Sequence, residues 1–496
     1  MNTSSRKHIR TRMGSPSGDS DPAAGGTQGR RHDDGPMDPG TEHVAGVGGR
    51  AGSGAPGSLR EISRLALPAL GALVAQPLFV LVDAAIVGTL GTEPLAGLGA
   101  AATLAGVAVG LCVFLAYATT SSVARRVGEG RWGAAVSEGV EGMALGLVLG
   151  AVVGLAAAVW AEPLVRAFGA SDAVAPYAVT YVRIIALGFP AALVAMAGIG
   201  VLRGLQDTRT TLLVTLLAVG VNTVLAVTLV LGLHYGIGGS AVATAVAEWV
   251  QAIAYVAVVV RVARQHGVSM RPSGIGVLGA ARAGLPLFWR TVALRAVYLV
   301  AAAVAARMGD ADLAAYHVSF SVWIVLALAA DALAIAGMAL LGRYLGAGDV
   351  AGARAVTGRL VRLGVVLGVG LGLLLLAVLP WLPRAFSTDA VVRDLITAAL
   401  VIAALQQPLT TPVFVLDGVL IGAGDGRWLA LAGTVMLLAF LPAAWFVLDR
   451  NLGVTGLWWA ITWFMLVRLA LLGWRARGAE WLRASRPADA VSAPRS

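Results

Sequence analysis

Apolar residues run along this chain in long blocks separated by short polar punctuation. The block at 62–90, ISRLALPALGALVAQPLFVLVDAAIVGTL, is typical. A helix needs about 20 apolar residues to cross the hydrocarbon of a bilayer, and each block is long enough. Splitting at the polar and glycine-rich breaks predicts twelve segments. Their approximate limits are 62–90, 95–122, 134–160, 176–202, 210–232, 238–261, 279–307, 312–342, 354–380, 391–422, 428–448 and 453–474. The pattern predicts an all-α membrane protein of twelve transmembrane helices.

The blocks also repeat. The pair Leu-Pro recurs at Pro68 and Pro286, 218 residues on (286 − 68). LAG at 95–97 returns as LAA at 313–315, and RAF at 166–168 returns at 384–386, both at the same offset. Gln-Asp207-Thr-Arg209 is echoed by Gly-Asp425-Gly-Arg427, again 218 on (425 − 207). Each half therefore holds six segments. An even number returns the chain to its starting side, so the halves share one orientation. They are expected to form two six-helix lobes, 59–275 and 276–475, related by a pseudo-twofold axis along the membrane normal.

Charge fixes the expected orientation. Arginines gather in alternate loops: Arg60 and Arg64, then Arg125, Arg126 and Arg131, then Arg203 and Arg209. They continue at Arg261, Arg264, Arg271 and Arg282, at Arg343, Arg354 and Arg359, and at Arg427. The opposite loops carry few, each near an acid. By the positive-inside rule both termini are expected in the cytoplasm and the protein in the cell membrane. The net charge of +10 is thus spread over loops, and no nucleic-acid partner is expected.

Composition sharpens the class. The 496 residues are 58% hydrophobic and 13% charged, about half the charged share of a soluble domain. One cysteine, Cys112, excludes an intramolecular disulfide and a thiolate cluster, so no metal or cofactor is expected. Residues 1–58 lack apolar periodicity and are expected to be a disordered cytoplasmic tail without a cleaved signal peptide. Residues 476–496 read as a second cytoplasmic tail. No phosphate-binding loop or catalytic triad occurs, so an enzyme is not expected.

The chemistry to explain is the set of polar groups inside apolar blocks. Asp83 stands in the first, with Gln76 and with Pro68 and Pro77, which are expected to kink that helix. A carboxylate in hydrocarbon costs about 2.5–3.5 kcal/mol on insertion scales, so its default reading is functional. At 1.5 Å per residue Asp83 lies ~10 Å from the outer end of its helix. Asn222, Thr244 and Arg183 fall at comparable depth. Asp83 can then be a proton-exchanging acid, or a structural partner of Arg183. Glu248 is open between a second proton site and a hydrogen-bonded acid. The second half carries Arg290, Arg295, Asp331 and Asp417. Arg290 and Asp331 have matched depth on successive antiparallel helices, which predicts an ion pair. Asp417 lies near the cytoplasmic end and is expected to snorkel or cap a loop.

The twofold six-segment plan, LPALGALVAQPLFVLVDAAIVGTLG at 67–91 and GLQDTR at 204–209 resemble the multidrug and toxic compound extrusion (MATE) family. In the second half, LFWRTVALRAVYLVAAAVAARMGDADLAAYH, DALAIAGMALLGRYLGAGD and FVLDGVLIGAGDGR resemble its DinF-like branch. The resemblance implies cation-coupled antiport by alternating access, exporting drugs or toxins that are often cationic and aromatic. It places the coupling acid at Asp83. It places Gln76, Tyr181, Asn222 and Thr244 on polar positions of the same lobe's cavity. One departure matters: where the family often has Asn-x-x-x-Asp, this chain has Asn222-Thr-Val-Leu-Ala226. Loss of that second acid weakens a sodium site and leaves a proton site intact, so protons are the expected coupling ion. The expected partners are small molecules, protons and the bilayer, with the protein a monomer. The rivals are a lipid-linked precursor or polysaccharide flippase, and a non-transporting membrane receptor or assembly protein.

Overall fold

The computed structural model describes residues 57–483, and these are helical almost throughout. The expected amino-terminal tail lies outside the described residues except for its last two, and the carboxy-terminal tail lies outside them beyond 483. Twelve spans follow in order: α1 Leu59–Gly88, α2 Thr92–Gly128, α3 Trp132–Val159, α4 Ala175–Gly204, α5 Thr208–Gly232 and α6 Gly236–Gln265. The second six are α7 Gly274–Met308, α8 Asp310–Gly346, α9 Val350–Val378, α10 Ala390–Leu405 with Gln407–Gly422, α11 Gly426–Asp449 and α12 Gly453–Arg477. The RAF motifs fall on short helices between spans, Ala161–Ala167 and Leu382–Phe386. A last short helix, Glu480–Arg483, buries Trp481 just after α12.

The repeat is built into the backbone. Both ends of α2 and α8 differ by 218 (310 − 92 and 346 − 128). The turns before and after them use left-handed residues at matched places, Gly91 with Gly309 and Gly130 with Gly348. Gln206 and Gly424 occupy another such pair, at φ +63° and +77°. The offset slips by one only in the last loop of each half, where His234 matches Asn451 and Gly236 matches Gly453.

Local sequence explains the helix ends and breaks. Side chains of Ser58, Asp207, Ser273 and Asp349 accept hydrogen bonds from the first-turn amides of α1, α5, α7 and α9. α4 tightens to a 3-10 turn at Ala186–Gly188, just before Pro190. The equivalent break in α10 precedes Pro408, 218 on from Pro190, and bends that span by 56°. Proline has no N–H to give the preceding turn, so both helices yield there. α1, in contrast, continues as one helix through Pro68 and Pro77.

Packing divides mostly by halves, but each core takes residues from the other half, Phe114 of α2 among them. The large apolar core of the second half takes in Ile62 and Leu65 from the first two turns of α1. Reciprocally, Val277, Ala280 and Ala281 at the start of α7 pack on a core of the first half. The far end of α1 returns to its own half, where Ile86 and Val87 are buried.

The halves meet at their arginine-rich end and part at the other. Bonds between them run from Ser121 to Gly422, from Arg125 to Ala423 and from Arg343 to Gln206, all at or beside arginine-rich turns. Towards the other end, Gln76, Pro77, Leu78, Val80, Leu81 and Val82 are exposed over most of the circumference of α1, and only the stripe of Ala75, Phe79 and Asp83 is covered. An arc that wide leaves room for lipid on one side and a gap between the halves on the other.

If the exchanged start of α1 carries packing energy, Leu65→Ala should destabilise the protein by ~2–4 kcal/mol through the cavity it leaves. Leu67→Ala, exposed two residues on, should change the melting temperature little in the same detergent. A thermal melt of both variants measures the contrast.

Candidate functional site

Asp83 is the centre of the first-half site. It is 3% exposed, although the preceding turns of α1 lie open. Its Oδ1 accepts a hydrogen bond from the Ser240 hydroxyl at 2.5 Å, and its Oδ2 accepts one from the Tyr181 hydroxyl at 3.2 Å. Tyr181 in turn lies 3.3 Å from the Thr244 hydroxyl, and Asn222 Nδ2 donates to Thr244 at 3.1 Å. Four helices, α1, α4, α5 and α6, thus contribute to one chain of hydrogen bonds. An ionised carboxylate only accepts. The chain can therefore be ordered in one direction: amide to Thr244, Thr244 to Tyr181, Tyr181 to Asp83.

Three of the four polar residues expected around Asp83 are in this chain. Gln76 is not; it is exposed, two turns before Asp83 on the same face of α1. Arg183 is exposed as well, and the partners of Asp83 are hydroxyls, so the alternative pair with Arg183 does not form. Sequence reasoning missed Ser240. Its position one turn before Thr244 on α6 was the available signal. Glu248 stands one turn beyond Thr244 and is partly buried. Ala226 is fully buried against Ile86, Val230 and Ala243, so the place of a second acid is filled by apolar packing.

The second half corrects two expectations. Arg290 does not pair with Asp331. Its Nε donates to Asp417 Oδ1 at 3.0 Å and its Nη2 contacts Asp417 Oδ2, while Arg468 Nη2 donates to Oδ2 at 2.7 Å. Asp417 is therefore not a snorkelling or loop-capping residue: it is 6% exposed and binds two guanidiniums. The Arg468 guanidinium also stacks 5.2 Å from the Phe414 ring. Matched depth misled because depth is one coordinate, and rotation about each helix axis decides which side chains meet. Asp331 is partly buried, and among the described residues no ion pair reaches it. Arg295 is exposed, its guanidinium lying against Gly110 of α2 in the other half.

A cavity of about 350 Å³ opens near the arginine-rich end between α2, α3 and the start of α7. Its lining includes Thr119, Ser122, Arg125, Arg126, Glu138 and Glu141. Small residues on α7, Gly276, Gly279, Ala280 and Ala283, leave the space. The matching first turns of α1 carry Ile62 and Leu65, which fill the equivalent place (280 − 62 and 283 − 65 are both 218).

Comparison with known proteins agrees with this architecture. The MatE family model matches twice, over 68–228 and 286–446, with the same 218-residue offset between matches (286 − 68). The chain belongs to the MatE family. It is 33% identical to Protein DETOXIFICATION 43 of Arabidopsis thaliana over 66% of this chain and 62% of that one, so it spans about three-fifths of that relative's length. It is 27% identical to DNA damage-inducible protein F of Escherichia coli over 85% of this chain and 93% of that one. Among solved structures, a MATE transporter of Vibrio cholerae in a bent form superposes with a TM-score of 0.77, at 20% identity, over 86% of this chain and 97% of that one. The MatE fold accounts for the two six-helix halves and their axis along the membrane normal. It makes the chain a multi-pass membrane protein.

The Asp417 cluster yields a test. Asp417→Asn leaves two buried guanidiniums without a carboxylate and should cost about 3–5 kcal/mol. Asp331→Asn removes no ion pair and should cost far less. In thermal-stability cycles, Arg290 and Asp417 should couple by more than ~1 kcal/mol. Arg290 and Asp331 should add.

Proposed function

We propose that this MatE chain is a proton-coupled antiporter exporting diverse, often cationic or aromatic small molecules across the cytoplasmic membrane. It works by alternating access between lobes 59–275 and 276–475. In this reading the arginine-rich loops and both termini face the cytoplasm and the protein acts as a monomer. The state described above is then open to the outside.

The observation that carries the reading is the hydrogen-bond chain ending on Asp83. A carboxylate accepting from both Ser240 and Tyr181 becomes a poorer acceptor when it takes up a proton, so both bonds weaken. A protonated carboxyl also has an O–H of its own to donate, and Tyr181 can accept it by reversing its bond. Tyr181 can reverse only if Thr244 does, and Thr244 is held by Asn222. Protonation from the outer gap would thus be felt by α4, α5 and α6 together. That gives an ion a lever on the shape of the half without any second acid. The relatives' names, which include multidrug resistance proteins, agree with export of small molecules. The driving force suffices: ~1.4 kcal/mol per pH unit and ~2.3 kcal/mol per 100 mV for each charge moved.

Purified protein in liposomes tests the reading. A proton gradient, acid on the outer face, should drive dye efflux at clamped sodium, and a sodium gradient at clamped pH should not. Asp83→Asn should insert and melt within a few degrees of the parent but lose proton-driven efflux at least ten-fold. Sodium-driven efflux would overturn the choice of ion. Parent-like efflux from a stable Asp83→Asn protein would remove Asp83 as the coupling acid.

A further inference from the structure

We infer that Arg125 and Arg343 are the gating residues of this transporter, a symmetric latch that holds the arginine-rich ends of the two halves together. The two lie 218 residues apart (343 − 125), one near the end of α2 and one near the end of α8. Each reaches into the opposite half. Arg125 Nη2 donates to the carbonyl of Ala423, in the turn between α10 and α11, at 3.1 Å. Arg343 Nη1 donates to the side-chain oxygen of Gln206, in the turn between α4 and α5, at 2.8 Å.

The two turns are equivalent in backbone, and one of their differences is complementary. Arg125 lies over Gly424, where a side chain would collide with its guanidinium. At the matching position the other half has Gln206, and its side chain supplies the acceptor. The helices that carry the arginines touch just as closely. A Cβ at Gly128 would collide with the carbonyl of Arg343, and one at Gly346 with the carbonyl of Arg125. Both glycines obey the repeat (346 − 128 is 218). The neighbouring Arg126 does otherwise: it pairs inside its own half with Glu138 at 2.6 Å and Glu129 at 3.0 Å.

The chemistry of the latch suits a gate. Both acceptors are neutral oxygens, so each bond is weaker than a bidentate Arg–carboxylate pair and can be broken in every cycle. When the ends part, water at that end solvates both guanidiniums, and no charge is stranded in hydrocarbon.

This assignment rests on the alternating-access reading, but its test needs neither substrate nor gradient. In a Cys112→Ala background, Ser121→Cys places a thiol inside the closed contact, where Ser121 is 6% exposed. Its labelling by a membrane-impermeant maleimide, applied from the arginine-rich face, reports opening. Arg343→Ala should speed labelling about ten-fold, the population change that loss of a charge-assisted bond worth ~1.4 kcal/mol produces. Gln206→Gly, which copies the other half and removes only the acceptor, should do the same, so the test survives if loss of the charge harms folding. The double variant should match either single one, because all three remove one bond. Arg126→Ala should leave labelling unchanged. Labelling within two-fold of the parent in both Arg343→Ala and Gln206→Gly would overturn the latch, as would an equal rise in Arg126→Ala. A protein that shows the expected labelling but no efflux would remove the exporter reading and leave the latch standing.

Discussion

A polar group in hydrocarbon must find its partner within reach, because no water is there to replace it. Where two halves separate, as the exporter reading requires, that partner has to lie in the same half. The two polar clusters obey this rule. Asp83, Tyr181, Asn222, Ser240 and Thr244 answer one another entirely within the first half. Arg290, Asp417 and Arg468 do so entirely within the second. Side chains bond across the divide at the arginine-rich end. In the exporter reading, water meets these groups when the contact opens, and placement of the polar groups separates what is fixed from what moves.

The duplication shows how far the halves have specialised. At the positions matching Asp83, Tyr181 and Asn222, the second half has Ala301, Ala399 and Phe440, all fully buried. Allowing for the one-residue slip, Ser240 and Thr244 match Leu457 and Ile461, equally buried. In return, Asp417 and Arg290 match Ile199 and Ala72 in the first half. Each half thus keeps one polar cluster and sets mostly apolar residues at its twin, the exception being Gln251 at the place of Arg468. The two clusters also differ in kind. The first ends in a lone acid among hydroxyls, which can reverse their bonds as a proton comes and goes. The second clamps one acid between two guanidiniums, and removing that acid strands both positive charges. That makes the first suited to change and the second to hold shape.

Much of this was legible in the sequence, and the reason it stopped where it did is geometric. Block length gave the twelve spans, and the constant offset gave the symmetry, because both are one-dimensional properties. The set around Asp83 was reached through common depth and family resemblance, and three of its members are bonded as a chain. Ser240 was missed although it sits one turn from Thr244, because a serine in a small-residue helix is cheap and draws no notice. Arg468 was missed for a different reason: it follows a run of apolar residues near a helix end and looks like another loop arginine. The pairing of Arg290 with Asp331 failed on rotation. Asp417 also lies beyond the 56° bend of α10 at Gln406, and counting residues from the helix end does not foresee that bend.

The helix that carries Asp83 also has a mechanical place that its sequence alone does not reveal. α1 starts in the core of the second half, held by Ile62 and Leu65, and ends in the first half with Asp83, Ile86 and Val87 buried. Between these anchors residues 76–78 and 80–82 are exposed, while Ala69, Ala72, Ala75 and Phe79 are covered along the helix. A helix pinned at both ends and open over most of its middle can pass a change at one anchor to the other as bending or strain. In the exporter reading, a proton arriving on Asp83 alters the grip of the outer anchor. The inner anchor lies beside the arginine contact: Glu61, one residue before Ile62, accepts a bond from Tyr344, the neighbour of Arg343. In that reading, charge at the outer end and closure at the inner end act on one continuous helix. Pro68 and Pro77 stand in that helix, each with one fewer backbone bond to resist its bending.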